Sequence, residues 1–112
     1  MAFEMEENKL ETKRQIITEM VSTLKEALAK LEEKIGPVTS NDIFGKSSGI
    51  LTRKEADHLY VTALADREDE VDSLQRIMDH AAVNPDITND SVLEMDRQHL
   101  EGARALLAKL SS

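Results

Sequence analysis

The strongest constraint on this chain is the regular spacing of apolar residues in its first 35 positions. Seam positions recur there in alternating steps of four and three. The eight positions are Leu10, Arg14, Ile17, Val21, Leu24, Leu28, Leu31 and Ile35. This alternation is typical of a coiled-coil helix, which presents one narrow stripe to its neighbour. Ile16, Met20 and Ala27 widen the stripe, so we predict a bundle helix over residues 5–35.

The end of the first helix is marked by two residues that oppose helix continuation. Gly36 accepts the left-handed conformation that closes many helices, and Pro37 cannot continue one. Two more glycines and several short polar residues follow, which predicts a loop over residues 36–51. Loops of that length are usually functional or flexible.

Two more helices follow the loop. Thr52 and Glu55 form the T-x-x-E pattern of a capping box, which predicts a helix over residues 52–83 that ends before Pro85. A short polar turn then leads to a third apolar pattern, which predicts a helix over residues 89–110.

These elements predict an all-α fold in a single domain, residues 1–112, because one core is typical of about 100–150 residues. Short connections place neighbouring helices antiparallel. We therefore expect an antiparallel hairpin of the two long helices with a third helix packed on it, a three-helix bundle. A rod of about 45 Å with so wide a stripe exposes more apolar surface than one short helix covers, which predicts a homodimer that forms a larger bundle.

Two arginines occupy seam positions, and an unpaired guanidinium inside an aliphatic seam is costly. We hypothesise that Arg14 pairs with Asp72 or Asp79 and that Arg67 pairs with Glu26, which would fix the register of the helices. The alternative is that both stems lie along the helix surface while the charged heads reach water.

Composition excludes several classes of function. A net charge of −8 disfavours direct nucleic-acid binding and favours a protein partner with a basic surface. The chain has no cysteine, which removes thiolate catalysis and cysteine metal sites. No apolar run approaches the ~20 residues of a membrane span, and the acidic start is unlike a signal peptide, so we expect a cytoplasmic protein without membrane contact.

One segment comes close to a phosphate-binding loop. Residues 40–47, SNDIFGKS, match the pattern G-x-x-x-x-G-K-[ST] except that Ser40 replaces the first glycine. That loop works between a strand and a helix, whereas here a helix precedes it and Gly49 interrupts any helix that would follow. We therefore interpret the segment as an ordinary loop.

Two patterns, Glu55-x-x-His58 and Asp96-x-x-His99, each place a carboxylate and an imidazole on one helix face. Related pairs build di-metal sites in four-helix bundles. Glu55 is already used in the predicted cap, however, and the first helix offers an aliphatic seam instead of further carboxylates. We predict surface histidines, no catalytic residue, no metal and no cofactor.

The function predicted from these patterns is a non-enzymatic protein-protein interaction module, an adaptor, small chaperone or regulator that acts as a homodimer. One alternative is an acidic inhibitor that mimics nucleic acid, based on the stretch from Asp66 to Asp72. Charge runs inside helices are more often solvated faces. A second alternative is a metal-carboxylate enzyme built in the bundle.

Overall fold

The computed structural model describes the backbone of residues 2–65, 72, 75, 76, 79, 80 and 83–112, and their side chains from residue 9 onward except that of Pro85. This part of the chain is mostly helical and contains no β-strand. The elements are α1 (Ala2–Ile35), α2 (Ile43–Lys46), α3 (Arg53–Leu59), a π-helical turn (Tyr60–Leu64), a 3-10 helix (Pro85–Thr88) and α4 (Asp90–Ser111). Across those same residues, no helix is long and apolar enough to cross a membrane.

The first and third predicted helices are confirmed almost to the residue. Helix α1 ends at Ile35, and Gly36 follows with a φ of +86°, in the left-handed region that glycine tolerates. Helix α4 begins after Asn89, whose side-chain oxygen accepts a hydrogen bond from the Val92 amide at 3.0 Å. Both boundaries therefore follow from local capping chemistry that is visible in the sequence.

The predicted capping box at the start of α3 is also confirmed. The Glu55 amide donates to the Thr52 hydroxyl at 3.1 Å, and the Thr52 amide donates to the Glu55 carboxylate at 2.8 Å. The same carboxylate accepts a hydrogen bond from the Lys109 ammonium at 2.8 Å. The cap therefore also links the first turn of α3 to the last turn of α4.

Loss of this cap should be measurable. We expect Thr52→Ala to lower the free energy of unfolding by about 1 kcal/mol, since it removes the acceptor of one helix-terminal amide. Urea denaturation of purified protein measures the change. Thr52→Ser keeps the hydroxyl and should stay within about 0.5 kcal/mol of the parent protein; equal losses in the two variants would contradict a capping role.

The directions of the helices follow from contacts between their side chains. Three ion pairs join α1 to α4: Lys9 with Asp90, Lys13 with Asp96, and Glu19 with Arg104. The residue numbers rise together along both helices, so α1 and α4 run parallel. Helix α3 runs opposite to α4, because Glu55 meets Lys109 whereas His58 meets His99.

The described part of the predicted antiparallel hairpin agrees with this arrangement, because α3 packs on α1 and, being opposite to α4, also runs opposite to α1. The two long helices that pack together are α1 and α4, which are parallel and far apart in sequence. Within the predicted helix 52–83, Arg53–Leu59 is α-helical and Tyr60–Leu64 is π-helical, and the described residues 72, 75, 76, 79, 80 and 83 are again α-helical. Its apolar pattern is also weakest after that turn, where Arg67 is the only seam position between Leu64 and Val71.

The core lies where α1, α3, α4 and the connecting loop meet. Its buried apolar residues are Leu24, Ala27, Leu28, Leu31, Val38, Ile43, Leu51, Ala56, Leu59, Ala63, Ala103, Leu106 and Leu110. Val38, Ile43 and Leu51 come from the segment predicted as a loop, which is thus packed against the helices and includes the short helix α2. The loop completes the core that three helices alone would leave open.

Candidate functional site

The polar position in the α1 stripe belongs to Lys13, not to Arg14. The Lys13 ammonium lies 2.7 Å from the Asp96 carboxylate, and only 7% and 15% of the two side chains are exposed. Arg14 is exposed. The sequence reading was wrong here because positions 13 and 14 lie three and four residues after Leu10, so either spacing fits a helical stripe.

A sequence signal for this pair existed in the third helix. Asp96 lies three residues after Leu93 and four before Leu100, both of which are buried. It therefore occupies a position on the apolar face of α4. A lysine and an aspartate at polar positions of two apolar stripes are complementary charges, but their spacing alone does not say that these two helices meet.

The arginine pairs predicted from sequence have different outcomes. Among the described residues, Arg14 forms no ion pair with Asp72 or Asp79, and its exposure agrees with the alternative in which the charged head reaches water. Arg67 lies outside the described residues, so its pairing with Glu26 stays a prediction.

The seam predicted as an interface is largely covered within a single chain. Ile17, Val21, Leu24, Leu28 and Leu31 are buried, whereas Leu10 and Ile35 are half-buried. The expectation that this stripe stays exposed to solvent is wrong, because α4, α3 and the packed loop together cover it. Any interface with a second chain must use other side chains unless the bundle opens.

The structure brings together two histidines that the sequence places 41 positions apart. The His58 ring on α3 and the His99 ring on α4 have centroids 5.9 Å apart at an interplanar angle of 60°. They border an open groove of about 400 Å³, which is also lined by Met20, Lys54, Asp57, Val61 and Thr62. A cavity of this volume lies within the usual range of ligand pockets, about 300–1,000 Å³.

The two histidines differ in their surroundings. His58 is half-buried, while His99 is exposed. Burial, and secondly the nearby charge of His99, lowers the pKa of His58 below its usual value of 6.5. The His58 imidazole is therefore mainly neutral near neutral pH and has a nitrogen lone pair to offer.

The π-helical turn shapes one wall of this groove. It follows His58 within two residues, and its closing hydrogen bond runs from the Ala65 amide to the Tyr60 carbonyl at 2.7 Å. Such turns occur frequently at functional sites, because one extra residue in the turn changes which side chains face a neighbour. Here the turn supplies Val61 and Thr62 to the groove.

The carboxylates of the two histidine patterns are engaged elsewhere. Glu55 takes part in the α3 cap and accepts from Lys109, and Asp96 pairs with Lys13. Within the described part of the chain, no group of three or more histidine, aspartate or glutamate side chains is placed to hold a metal. The structure thus brings His58 and His99 together. The carboxylates Glu55 and Asp96 are paired with lysines instead of facing the two histidines.

The segment resembling a phosphate loop has a different geometry. The Lys46 ammonium donates to the Pro37 carbonyl at 2.8 Å and lies 3.3 Å from the Asp42 carboxylate. Ser47 is buried, and its hydroxyl donates to the Ile43 carbonyl. These side chains stabilise the loop and α2, so the segment is a structural connection, as interpreted from sequence.

Large apolar side chains are exposed at three places in the described structure: Val61, Met95 and Val83. Val61 lies one turn after His58, and Met95 lies one turn before His99. More than half of each of these two side chains is accessible, 55% in both cases. Val61 lines the groove from the π-helical turn, whereas Met95 is exposed on α4 outside the groove lining.

Comparison of the chain with protein-family models, with curated proteins and with solved structures finds no match.

Proposed function

We propose that this protein is a non-enzymatic helical interaction module that acts as a homodimer, with the groove between α3 and α4 at the centre of its interface. The observation that carries the proposal is the exposure of two large apolar side chains, Val61 in the lining of that groove and Met95 one helical turn before the groove residue His99. The proposal keeps the role expected from the sequence, that of an adaptor, small chaperone or regulator in the cytoplasm.

The amount of exposed surface supports a second copy as the occupant. The chain exposes 7125 Å², whereas a compact monomer of 12.5 kDa is expected to expose about 6,200 Å². The excess is about 900 Å², so the chain has enough surface to bury the roughly 800 Å² per partner of a standard interface. The elongated outline, 51 × 25 × 18 Å, accounts for the excess and offers a long side for pairing.

The groove has the composition of an interface centre. Met20 and Val61 supply apolar area inside the groove, Met95 adds exposed apolar area on α4, and methionine adapts its shape to a partner. Lys54 and Asp57 lie at the edge of the groove, where a two-fold axis can bring the lysine of one copy near the aspartate of the other. Interfaces commonly combine an apolar centre with such a polar rim.

A further partner is expected to be basic. The net charge of −8 attracts positively charged surfaces, and exposed carboxylates such as Glu11, Glu19 and Glu26 line one face of α1. That face also carries Arg14 and several hydroxyl side chains, so it is mixed and not continuously acidic. The homodimer then presents two copies of an acidic face to such a partner.

Sedimentation velocity across a range of protein concentrations tests the dimer. We expect Val61→Lys or Met95→Lys to weaken dimerisation at least about tenfold, because burying such a side chain contributes roughly 1.5–3 kcal/mol. Val83→Lys is the matched control, since Val83 is 81% exposed and lies outside the groove.

A protein that stays monomeric at every concentration would contradict the dimer, and equal weakening by Val83→Lys would contradict its location.

The acidic-inhibitor alternative rests on the stretch from Asp66 to Asp72, of which only Asp72, an exposed residue, is described. It predicts binding to a basic target that falls steeply with salt, whereas binding through apolar groups should change little.

A further inference from the structure

We propose that His58 and His99 together form a binding site for a divalent transition-metal ion, which would link α3 to α4. This inference revises the expectation of ordinary surface histidines. It depends on the two imidazoles of one chain and not on the proposed homodimer.

The separation of the rings fits one shared ion. Nitrogen ligands bind zinc at about 2.0–2.1 Å, so two imidazoles on one ion have ring centroids roughly 5–6.5 Å apart. The observed separation of 5.9 Å lies inside that interval. The rings come from two different helices, at an interplanar angle of 60°, so the pair is a product of the tertiary structure.

The donors select the class of ion. Imidazole suits zinc, copper and nickel, whereas magnesium and calcium prefer oxygen ligands. Two protein nitrogens leave the remaining positions to water, with the Asp57 carboxylate at the edge of the same groove. The site is thus an open one, and the affinity order of these ions predicts the tightest binding for Cu²⁺.

The surroundings of His58 and His99 favour metal binding on balance. Burial keeps His58 largely neutral, which preserves the lone pair that a metal needs. Met20 and Val61 form apolar walls on part of the groove, and its open side admits the water that completes the coordination of the ion. Lys54 also lines the groove and opposes a cation, but the carboxylate of Asp57 offsets its charge.

Calorimetric titration and thermal unfolding of the full chain, first stripped of metal with a chelator, test the site. We expect CuCl₂ and ZnCl₂ each to bind with one ion per chain and to raise Tm, since a ligand that binds only the folded state stabilises it. MgCl₂ and CaCl₂ should leave Tm unchanged. In the Cu²⁺ complex, electron paramagnetic resonance should show coupling to two imidazole nitrogens.

The chain provides its own control, because its remaining histidine, His80, is exposed and lies outside the groove. His58→Ala and His99→Ala should each weaken Cu²⁺ binding at least about tenfold, since even loss of an indirect partner of a metal ligand often costs about 10- to 100-fold. His80→Ala should bind as the parent protein does. His99 is exposed, so His99→Ala removes a ligand without disturbing the core.

Three results would overturn the site: no Cu²⁺ or Zn²⁺ binding, unchanged binding in a folded His99→Ala variant, or an equal loss in His80→Ala. Binding that persists in all three variants and extends to Mg²⁺ would assign the ion to surface carboxylates instead. The two proposals can fail separately, because a parent protein that stays monomeric at every concentration still offers both imidazoles of one chain to the copper titration.

Discussion

Replacing Lys13 with methionine is expected to lower the free energy of unfolding by about 3 kcal/mol, the lower end of the range for breaking a buried ion pair. The variant leaves the Asp96 carboxylate without its partner at a place where only 15% of that side chain is exposed. The lower end applies because this exposure lets some water reach the remaining charge. Urea denaturation at one fixed protein concentration measures the loss.

The double variant Lys13→Met with Asp96→Leu should regain most of that stability. Replacing both charges with apolar groups of similar size removes the desolvation cost together with the attraction, and such exchanges are often neutral or stabilising. Asp96→Leu alone should be destabilising, since it leaves the buried ammonium unpaired. The four proteins form a double-mutant cycle, which isolates the interaction between the two side chains.

The pair between Lys9 and Asp90 is the matched control, because it joins the same two helices at an exposed position. Asp90 is 92% exposed and the two charged atoms lie 3.6 Å apart. Lys9→Met should therefore change stability by no more than about 1 kcal/mol. If Lys9→Met lowered the free energy of unfolding as much as Lys13→Met, burial would not be what makes the Lys13–Asp96 pair important.

Leu24→Ala is expected to lower the free energy of unfolding by about 2–5 kcal/mol, since it leaves a cavity that the surrounding side chains fill only in part. Leu24 is completely buried at the centre of α1, in the cluster that also contains Leu59 of α3 and Leu106 of α4. Truncating it removes contacts that the helices share.

Urea denaturation with fluorescence of the single tyrosine, Tyr60, or with far-ultraviolet circular dichroism follows this unfolding. Val83→Ala is the control, because Val83 is 81% exposed and its truncation should cost less than about 0.5 kcal/mol. A small effect at Leu24 would be incompatible with a core shared by α1, α3 and α4.

Local chemistry explains why much of the secondary structure could be predicted. The Thr52 cap, the glycine at position 36 and the Asn89 cap each act within three or four residues, so sequence spacing is enough to locate them. The α1 stripe was likewise predictable, and five of its eight seam positions are buried. The change to a π-helical turn at Tyr60 was not, since no capping or breaking residue marks it.

The candidate site was predictable only in its parts. Both histidine patterns are visible in the sequence, yet nothing in their spacing says that His58 and His99 meet while Glu55 and Asp96 bind lysines from other helices. Those outcomes depend on how α3 packs against α4. The same holds for the exposed Val61 and Met95, which only the packed structure identifies as apolar groups beside a groove.

By itself, the sequence determined a mostly helical chain, the end of α1, the start and end of α4, the cap of α3 and the residues available for an aliphatic core, because each depends on interactions over one or two helical turns. The tertiary structure alone decided that α1 packs mainly on α4, that Lys13 and not Arg14 is buried, and that the two histidines are neighbours. The physical reason is that helical periodicity allows positions 13 and 14 equally, and only the carboxylate of Asp96 on the facing helix makes burial of a charge at position 13 favourable.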